Sequence, residues 1–403
     1  MPEMPLMNGA YAAPGEVGRY QKRALIVGVL FLLLFAVGAF LDRPQFFRSY
    51  LVAYLFWIGI TLGCLALLLL QYLTGGAWGL VIRRVLEAAT RTLPLMAVLF
   101  LPIILGAHQI YPWTHHDEMT KTPALTEKAR LYLNLPFFAG RGAVYFAIWL
   151  LAVYLLNQWS LEQDRTAERR FTKRMRMISG PGLGILVLTV TFASVDWAMS
   201  LNPEWFSTIY GLLFVVAWAL SALAFVIAIL AMLAPREPMS RVVRPNHFQD
   251  LGKLMLAFVM LWSYFAFSQF LIVWSGNLPE EIQWYLPRLR GGWGLIALGV
   301  VFFHFALPFM LLLSASFKRD ARKLLMLAGL ILVMRFIDLF WMIVPEFGSE
   351  GFHISWMDVV APLGIGGIWL AMFAWQLNKR PLMPINDPQY NALLEQARAH
   401  AGH

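Results

Sequence analysis

The chain has 403 residues, 59% of them hydrophobic and 14% charged, with a mean hydropathy of +0.63. A water-soluble domain carries about 25% charged residues, so too little polar surface remains to cover a soluble globule. The net charge of +9 does not point to nucleic acid, because the basic residues lie in short stretches between apolar runs, with no basic stripe carrying interleaved aromatics.

The first 23 residues form a polar tail with Arg19, Lys22 and Arg23. The apolar run that follows is long enough to span a bilayer and has no clear cleavage site, so it reads as a retained first helix rather than a signal peptide. Spans need about 20 apolar residues, because hydrocarbon leaves no open backbone satisfied. Ten runs qualify: 24–41, 50–73, 93–107, 137–156, 182–199, 210–233, 253–274, 292–314, 322–344 and 356–377. The third is interrupted by Pro94 and Pro102; its helix is expected to begin earlier, near Leu80, and to run on through the proline. Cys64, the single cysteine, lies in the second run, which excludes an intrachain disulfide and a cysteine-ligated iron–sulfur cluster.

These runs give an all-α integral membrane fold, one transmembrane domain over 24–377 between tails 1–23 and 378–403. The N-terminal tail, the loops 74–92, 157–181, 234–253 and 315–323, and the C-terminal tail hold 23 Lys and Arg; the alternate loops hold 7. The excess marks the cytoplasmic side, so both termini are expected inside. The largest loop on the other side, 108–136, carries His115, His116, Asp117 and Glu118. Such a cluster could bind a metal, but no second ligand pair follows at helical spacing, and a solvated loop contacting a partner is the simpler reading.

An internal repeat is suggested by two helix exits. Asp196 precedes Pro203, Glu204 and Trp205 with the same spacing by which Asp338 precedes Pro345, Glu346 and Phe347. Upstream, Arg141-Gly142 opens the fourth run and Arg290-Gly291 precedes the eighth. Helices two to five (about 50–199) and six to nine (about 210–344) then read as parallel repeats, two four-helix bundles with helices one and ten outside them.

Ionisable groups at membrane depth are costly and are functional suspects. Asp196 and Asp338 each lie about two turns inside the non-cytoplasmic face. Arg335 is one turn deeper, on the helix face of Asp338. A neutralising Arg335–Asp338 pair could be purely structural; alternatively, these acids belong to a proton relay or face a quinol. His304, the only histidine deep inside a span, could pass protons or simply donate to a carbonyl; a bound b-type haem would need two facing histidines. Asp358 lies early in the tenth run. Tyr264, Ser268 and Gln269, in the outer half of the seventh, could hold waters or a quinone head group. The cytoplasmic half offers little beyond Thr61, Gln71 and Ser221. No nucleotide-binding loop, zinc-protease motif or nucleophile elbow is present.

Three segments, 196–211, 274–285 and 335–341, resemble the ActF-type membrane subunits of bacterial alternative complex III, within the broader NrfD/PsrC-like group. The resemblance covers essentially the whole span region. It implies two four-helix bundles, no redox centre in the chain itself, and quinol or menaquinol as substrate of the assembly. The partners it implies are a sister NrfD-like membrane subunit, an iron–sulfur protein, a multihaem cytochrome c subunit with the haem c groups, and smaller anchor subunits. Proton movement is the role it suggests for this chain, and the sister subunit is the stronger candidate it offers for the quinol pocket; on chemistry alone Asp196, Gln269 and His304 could serve a quinol here, since its oxidation releases two protons. A secondary transporter and a purely structural scaffold are the competing readings. Against the transporter stands the lack of matched Gly/Pro interruptions at mid-helix in the two halves.

Overall fold

The structure is a computed structural model that describes residues 11–348, 351–384, 386, 387 and 390; the outermost parts of both expected tails, 1–10 and 391–403, lie outside it. Ten helices are long and apolar enough to cross a membrane, and no strand occurs among the described residues. In chain order they are α1 (Gly15–Leu41), α2 (Arg43–Thr74), α3 (Ala77–Leu105), α4 (Leu135–Thr166) and α5 (Arg169–Leu201). The second five are α6 (Tyr210–Leu233), α7 (Pro245–Gly276), α8 (Trp293–Leu313), α9 (Ala321–Phe347) and α10 (Trp356–Asn378). The chain is an all-α, multi-pass membrane protein.

Local signals set the helix ends. Asp42 accepts from Gln45 N–H at 3.0 Å to cap α2, and Asn134 accepts from Phe137 N–H at 3.0 Å to cap α4, each satisfying an orphan amide. Residues in the left-handed region close α4 and α7, namely Ala167 (φ 55°) and Asn277 (φ 49°). Several helices outrun the apolar stretches that announced them. The expected loop 157–181 is almost all helix, since α4 continues to Thr166 and α5 starts at Arg169. The expected loop 74–92 is the first half of α3, and α1 begins at Gly15 inside the expected tail. Thirty-two residues of helix measure about 48 Å, well beyond a hydrocarbon core of about 30 Å, so polar ends project past it.

Helix α3 starts at Ala77, near the expected position, but does not run on through its prolines. It breaks into Ala77–Thr90, Leu93–Val98 and Leu101–Leu105, with Pro94 and Pro102 opening the second and third pieces. Each proline removes a backbone donor, and the exposed carbonyls must find partners inside the protein. Tyr50 donates to the Leu99 carbonyl at 2.6 Å, and Tyr54 to that of Met96 at 3.1 Å.

The centre of the molecule is the crossing of α2 and α6, the two most enclosed spans. It is close because a Cβ on Gly63 would fall 2.1 Å from the Trp218 carbonyl oxygen. Around this crossing, α2 packs on α3 and α5, and α4 closes the ring against both. Helix α6 packs on α7 and α9, and α8 closes the second ring in the same way. Helix α1 lies outside both rings and packs on α10, which in turn rests on α2 and α3. With ten spans the two chain ends share a face, and Leu382 N–H donates to the Tyr11 carbonyl at 3.0 Å. This is called the terminal face below.

Candidate functional site

A cavity of about 680 Å³ opens between α7, α8, α9 and the short helix Tyr285–Leu289. Its walls are apolar and aromatic, and its mouth carries Tyr264, Phe267 and Val301, all exposed on the outer surface of the helices. Gln269, Tyr285 and Asp338 are among the polar side chains that line it. Gln269 is buried, accepts from Ser207 Oγ at 3.3 Å and faces the Tyr285 hydroxyl at 3.5 Å. Tyr285 lies outside the spans, and burial pushes its phenol up to about 12, so it remains a proton donor in hydrogen bonds at neutral pH. Asp338 lines the same cavity and is bound by the Arg335 guanidinium one helical turn away.

Of the three residues expected to form a pocket on α7, Tyr264 and Gln269 line this cavity, while Ser268 is not among its lining residues; Ser263 lines it instead. The spacing along α7 explains the exchange, because positions 262, 263, 266, 269 and 270 share one helical face. His304 is fully buried just behind the wall, its ring 4.1 Å from that of Trp262, and neither ring nitrogen has a hydrogen-bond partner. It sits in a π-helical stretch, Val301–Ala306, a widening of the helix that recurs at functional positions.

The other two acids singled out by sequence lie elsewhere. Asp196 receives a bidentate pair from Arg141 at 2.8 and 2.9 Å and a hydrogen bond from Tyr145 at 2.8 Å. Arg141 in turn lies over the rings of Tyr132 and Phe137, at 3.8 and 4.3 Å. In the second half of the chain the pairing differs. Arg335, not Arg290, binds Asp338, and Arg288 binds Glu346 at 2.7 Å. Burial draws the Arg288 pKa down, with Glu346 opposing it. Asp358 caps its own helix by accepting from Ser355 N–H at 2.9 Å, and also accepts from Ser49 at 2.6 Å and Gln45 at 3.1 Å. The acids and bases expected to form one relay thus occupy three places: the α7–α9 cavity region, the α4–α5 pair and the start of α10.

Near the terminal face the protein interior is richer in polar groups than the expected Thr61, Gln71 and Ser221. Arg83, Arg84 and Glu87, expected in a solvated loop, are buried inside α3. Glu87 takes Arg83 at 3.0 Å, Arg84 at 2.6 Å and the Ser160 hydroxyl at 2.6 Å. Arg84 also binds Asp164. Arg83 reaches Asp387 beyond α10 at 2.7 Å, and Arg380 approaches Glu87 at 3.5 Å. Among the described residues three guanidiniums thus face three carboxylates, so these charges are paired rather than stranded, and Arg91 lies beside them, donating to the Glu87 carbonyl at 3.2 Å. Two sequence signals were available: Arg83, Arg84 and Glu87 at helical spacing within an apolar stretch, and Asn157, Ser160, Gln163 and Asp164 along one face of α4.

At the opposite face the His108 and His115 rings stack 4.2 Å apart, and His115 Nε2 contacts the His108 carbonyl at 3.0 Å. Among the described residues no three His, Cys, Asp or Glu side chains are grouped to hold a metal ion. No protein-family model matches this chain, and no curated protein matches it at significant similarity.

Proposed function

We propose that this chain is an integral membrane subunit of a bacterial quinol:electron-acceptor oxidoreductase, carrying no redox centre itself and taking part in proton translocation. The observation that carries the reading is the largely apolar cavity between α7, α8 and α9, with Gln269, Tyr285 and Asp338 among its lining residues. Its volume of about 680 Å³ falls in the range of small-molecule sites, about 300–1,000 Å³. An apolar quinol would enter from the lipid. Oxidation of a quinol releases two electrons and two protons. The Gln269 amide and the Tyr285 hydroxyl can hold the head-group oxygens, and the Asp338 carboxylate is the base on that wall. Electrons would leave to partner subunits.

The resemblance of segments 196–211, 274–285 and 335–341 to ActF-type subunits of alternative complex III supports the same reading. It supplies the remaining expectations: an NrfD-like sister subunit, an iron–sulfur protein, a multihaem cytochrome c subunit, smaller anchors and an inner-membrane location, to which the excess of Lys and Arg on the terminal face adds cytoplasmic termini. A scaffold is the second reading, and the Arg335–Asp338 ion pair is the feature that favours it, since a paired acid can brace α9 without moving protons.

Purification in mild detergent through a tag on the C-terminal tail tests the assembly. Haem c and a large iron–sulfur protein should co-elute; a folded, colourless chain eluting alone would favour a transporter. Within the intact complex, Asp338→Asn should leave assembly and subunit stoichiometry unchanged while abolishing proton translocation coupled to quinol oxidation. Unaltered translocation in that variant returns the pair to a bracing role.

A further inference from the structure

We propose that the groove between α1, α6 and α10 at the terminal face is a binding site for one acidic phospholipid, with its phosphate at Arg23 and Arg236 and an acyl chain along the groove. The cavity there measures about 460 Å³ and is walled almost wholly by apolar side chains.

The groove exists because of how α1 is fastened. Helix α1 meets α10 backbone to backbone: a Cβ on Gly28 would lie 2.5 Å from the Ile368 amide nitrogen, and one on Gly367 would lie 2.4 Å from the Gly28 Cα. Such close approach at small residues is a usual way for helices to associate in lipid. The contact pins α1 to α10 and leaves a gap toward α6, floored by Trp57, whose indole N–H is tied to the Pro362 carbonyl at 2.9 Å. On α10 the groove's lining runs from Leu377 at the terminal face inward to Pro362, about 22 Å of helix, which suits the upper part of an acyl chain.

Chemistry at the mouth selects the occupant. Arg23 and Arg236 both line the groove, with Tyr20 beside them at the depth where amphipathic rings settle. Arg23 makes no ion pair among the described residues, and Arg19 and Lys22 flank it on α1. Among the described residues that pair with the basic groups there, Glu16 is engaged by Arg236 at 2.5 Å and Arg19 at 3.6 Å. Basic residues therefore outnumber the acid. A basic pocket between spans, over an apolar channel, fits a phosphate head group bearing net negative charge better than a zwitterion.

The test is native mass spectrometry of the full chain in mild detergent, titrated with phosphatidylglycerol, phosphatidylcholine of the same acyl chains, or inorganic phosphate. The wild type should retain one phosphatidylglycerol, preferred over phosphatidylcholine by about tenfold, the scale of effect for basic residues near an acidic lipid surface. Arg23→Gln, which breaks no ion pair among the described residues, should lower that preference, and Arg23→Gln/Arg236→Gln should remove it. Ala24→Trp fills the groove, keeps both arginines, and should expel the lipid; melting temperatures confirm that each variant is folded. Inorganic phosphate at millimolar concentration should not displace the lipid. The proposal is overturned by equal binding of the two lipids in the wild type, by an undiminished preference in the folded double variant, or by complete displacement with phosphate, which would make this a site for the free anion.

Discussion

Asp196 illustrates how a buried acid in lipid is kept. Its carboxylate is held by both arms of the Arg141 guanidinium and by Tyr145, while the guanidinium is roofed by two aromatic rings. An ion pair of this kind is not strongly stabilising against an apolar replacement, but removing one partner strands the other. Asp196→Ala should therefore lower stability by about 3–5 kcal/mol, read as a fall in melting temperature in detergent. Arg141→Leu/Asp196→Leu should cost distinctly less than the sum of the single changes; additive losses would show that the two side chains are not energetically coupled. Sequence identified the acid and the arginine but not the pairing. They lie on different helices, 55 positions apart, and no spacing rule joins them. Arg335 and Asp338 were legible as a pair because they lie one turn apart on one helix. Arg83 and Arg84 were misread for the opposite reason: charges near an apolar run look like loop residues until Asp164, Asp387 and Glu87 are seen to surround them.

The spans themselves were readable at the level of elements because hydrocarbon permits so few solutions. Their ends were not, because polar residues with good helix propensity carry α4 and α5 past the membrane, where apolar content no longer signals helix. The broken course of α3 was hinted at by Pro94 and Pro102, but the two tyrosines of α2 that donate to the exposed carbonyls have no local signature. Helix crossings are equally hidden. Among the glycines of the spans, Gly63 and Gly329 look alike in sequence, yet they differ in consequence. A Cβ at Gly63 meets the Trp218 carbonyl oxygen at 2.1 Å and the Ala222 Cβ at 2.7 Å, whereas one at Gly329 meets nothing within 4 Å. Gly63→Ala must push α2 away from α6 and should destabilise by about 1–3 kcal/mol, the usual cost of overpacking. Gly329→Ala should be neutral or stabilising by up to about 1 kcal/mol, since alanine is the better helix former. Equal melting temperatures for the two variants would contradict the tight α2–α6 crossing.

For the molecule as a whole, the two rings of helices present different chemistry at opposite faces. The ionic cluster of α3, α4 and the segment after α10 lies at the terminal face, and the Gln269–Tyr285–Asp338 cavity opens in the other half. The proposal that the terminal face is cytoplasmic rests on the distribution of Lys and Arg, and its basis survives the structural correction. Arg83 and Arg84 are buried and are poor topology markers, but the flanks of α4 and α5 still carry Arg165, Arg169, Arg170, Lys173, Arg174 and Arg176, the excess on which the proposed orientation rests. The chain's single cysteine makes this testable at low background. Cys64 is fully buried in α2, and burial in a packed helix bundle shields a thiol from a bulky reagent. Glu127 and Glu168 are exposed in the segments before and after α4, so cysteines placed there report the two sides of one span. In intact spheroplasts a membrane-impermeant maleimide should label Glu127→Cys and leave Glu168→Cys unlabelled until the membrane is disrupted. Labelling of Glu168→Cys alone would invert the orientation, and with it the side to which the proposed quinol oxidation would release its protons. Labelling of both in intact spheroplasts would mean that α4 does not cross, which 32 residues of helix with an apolar centre make physically untenable only if the surrounding phase is lipid.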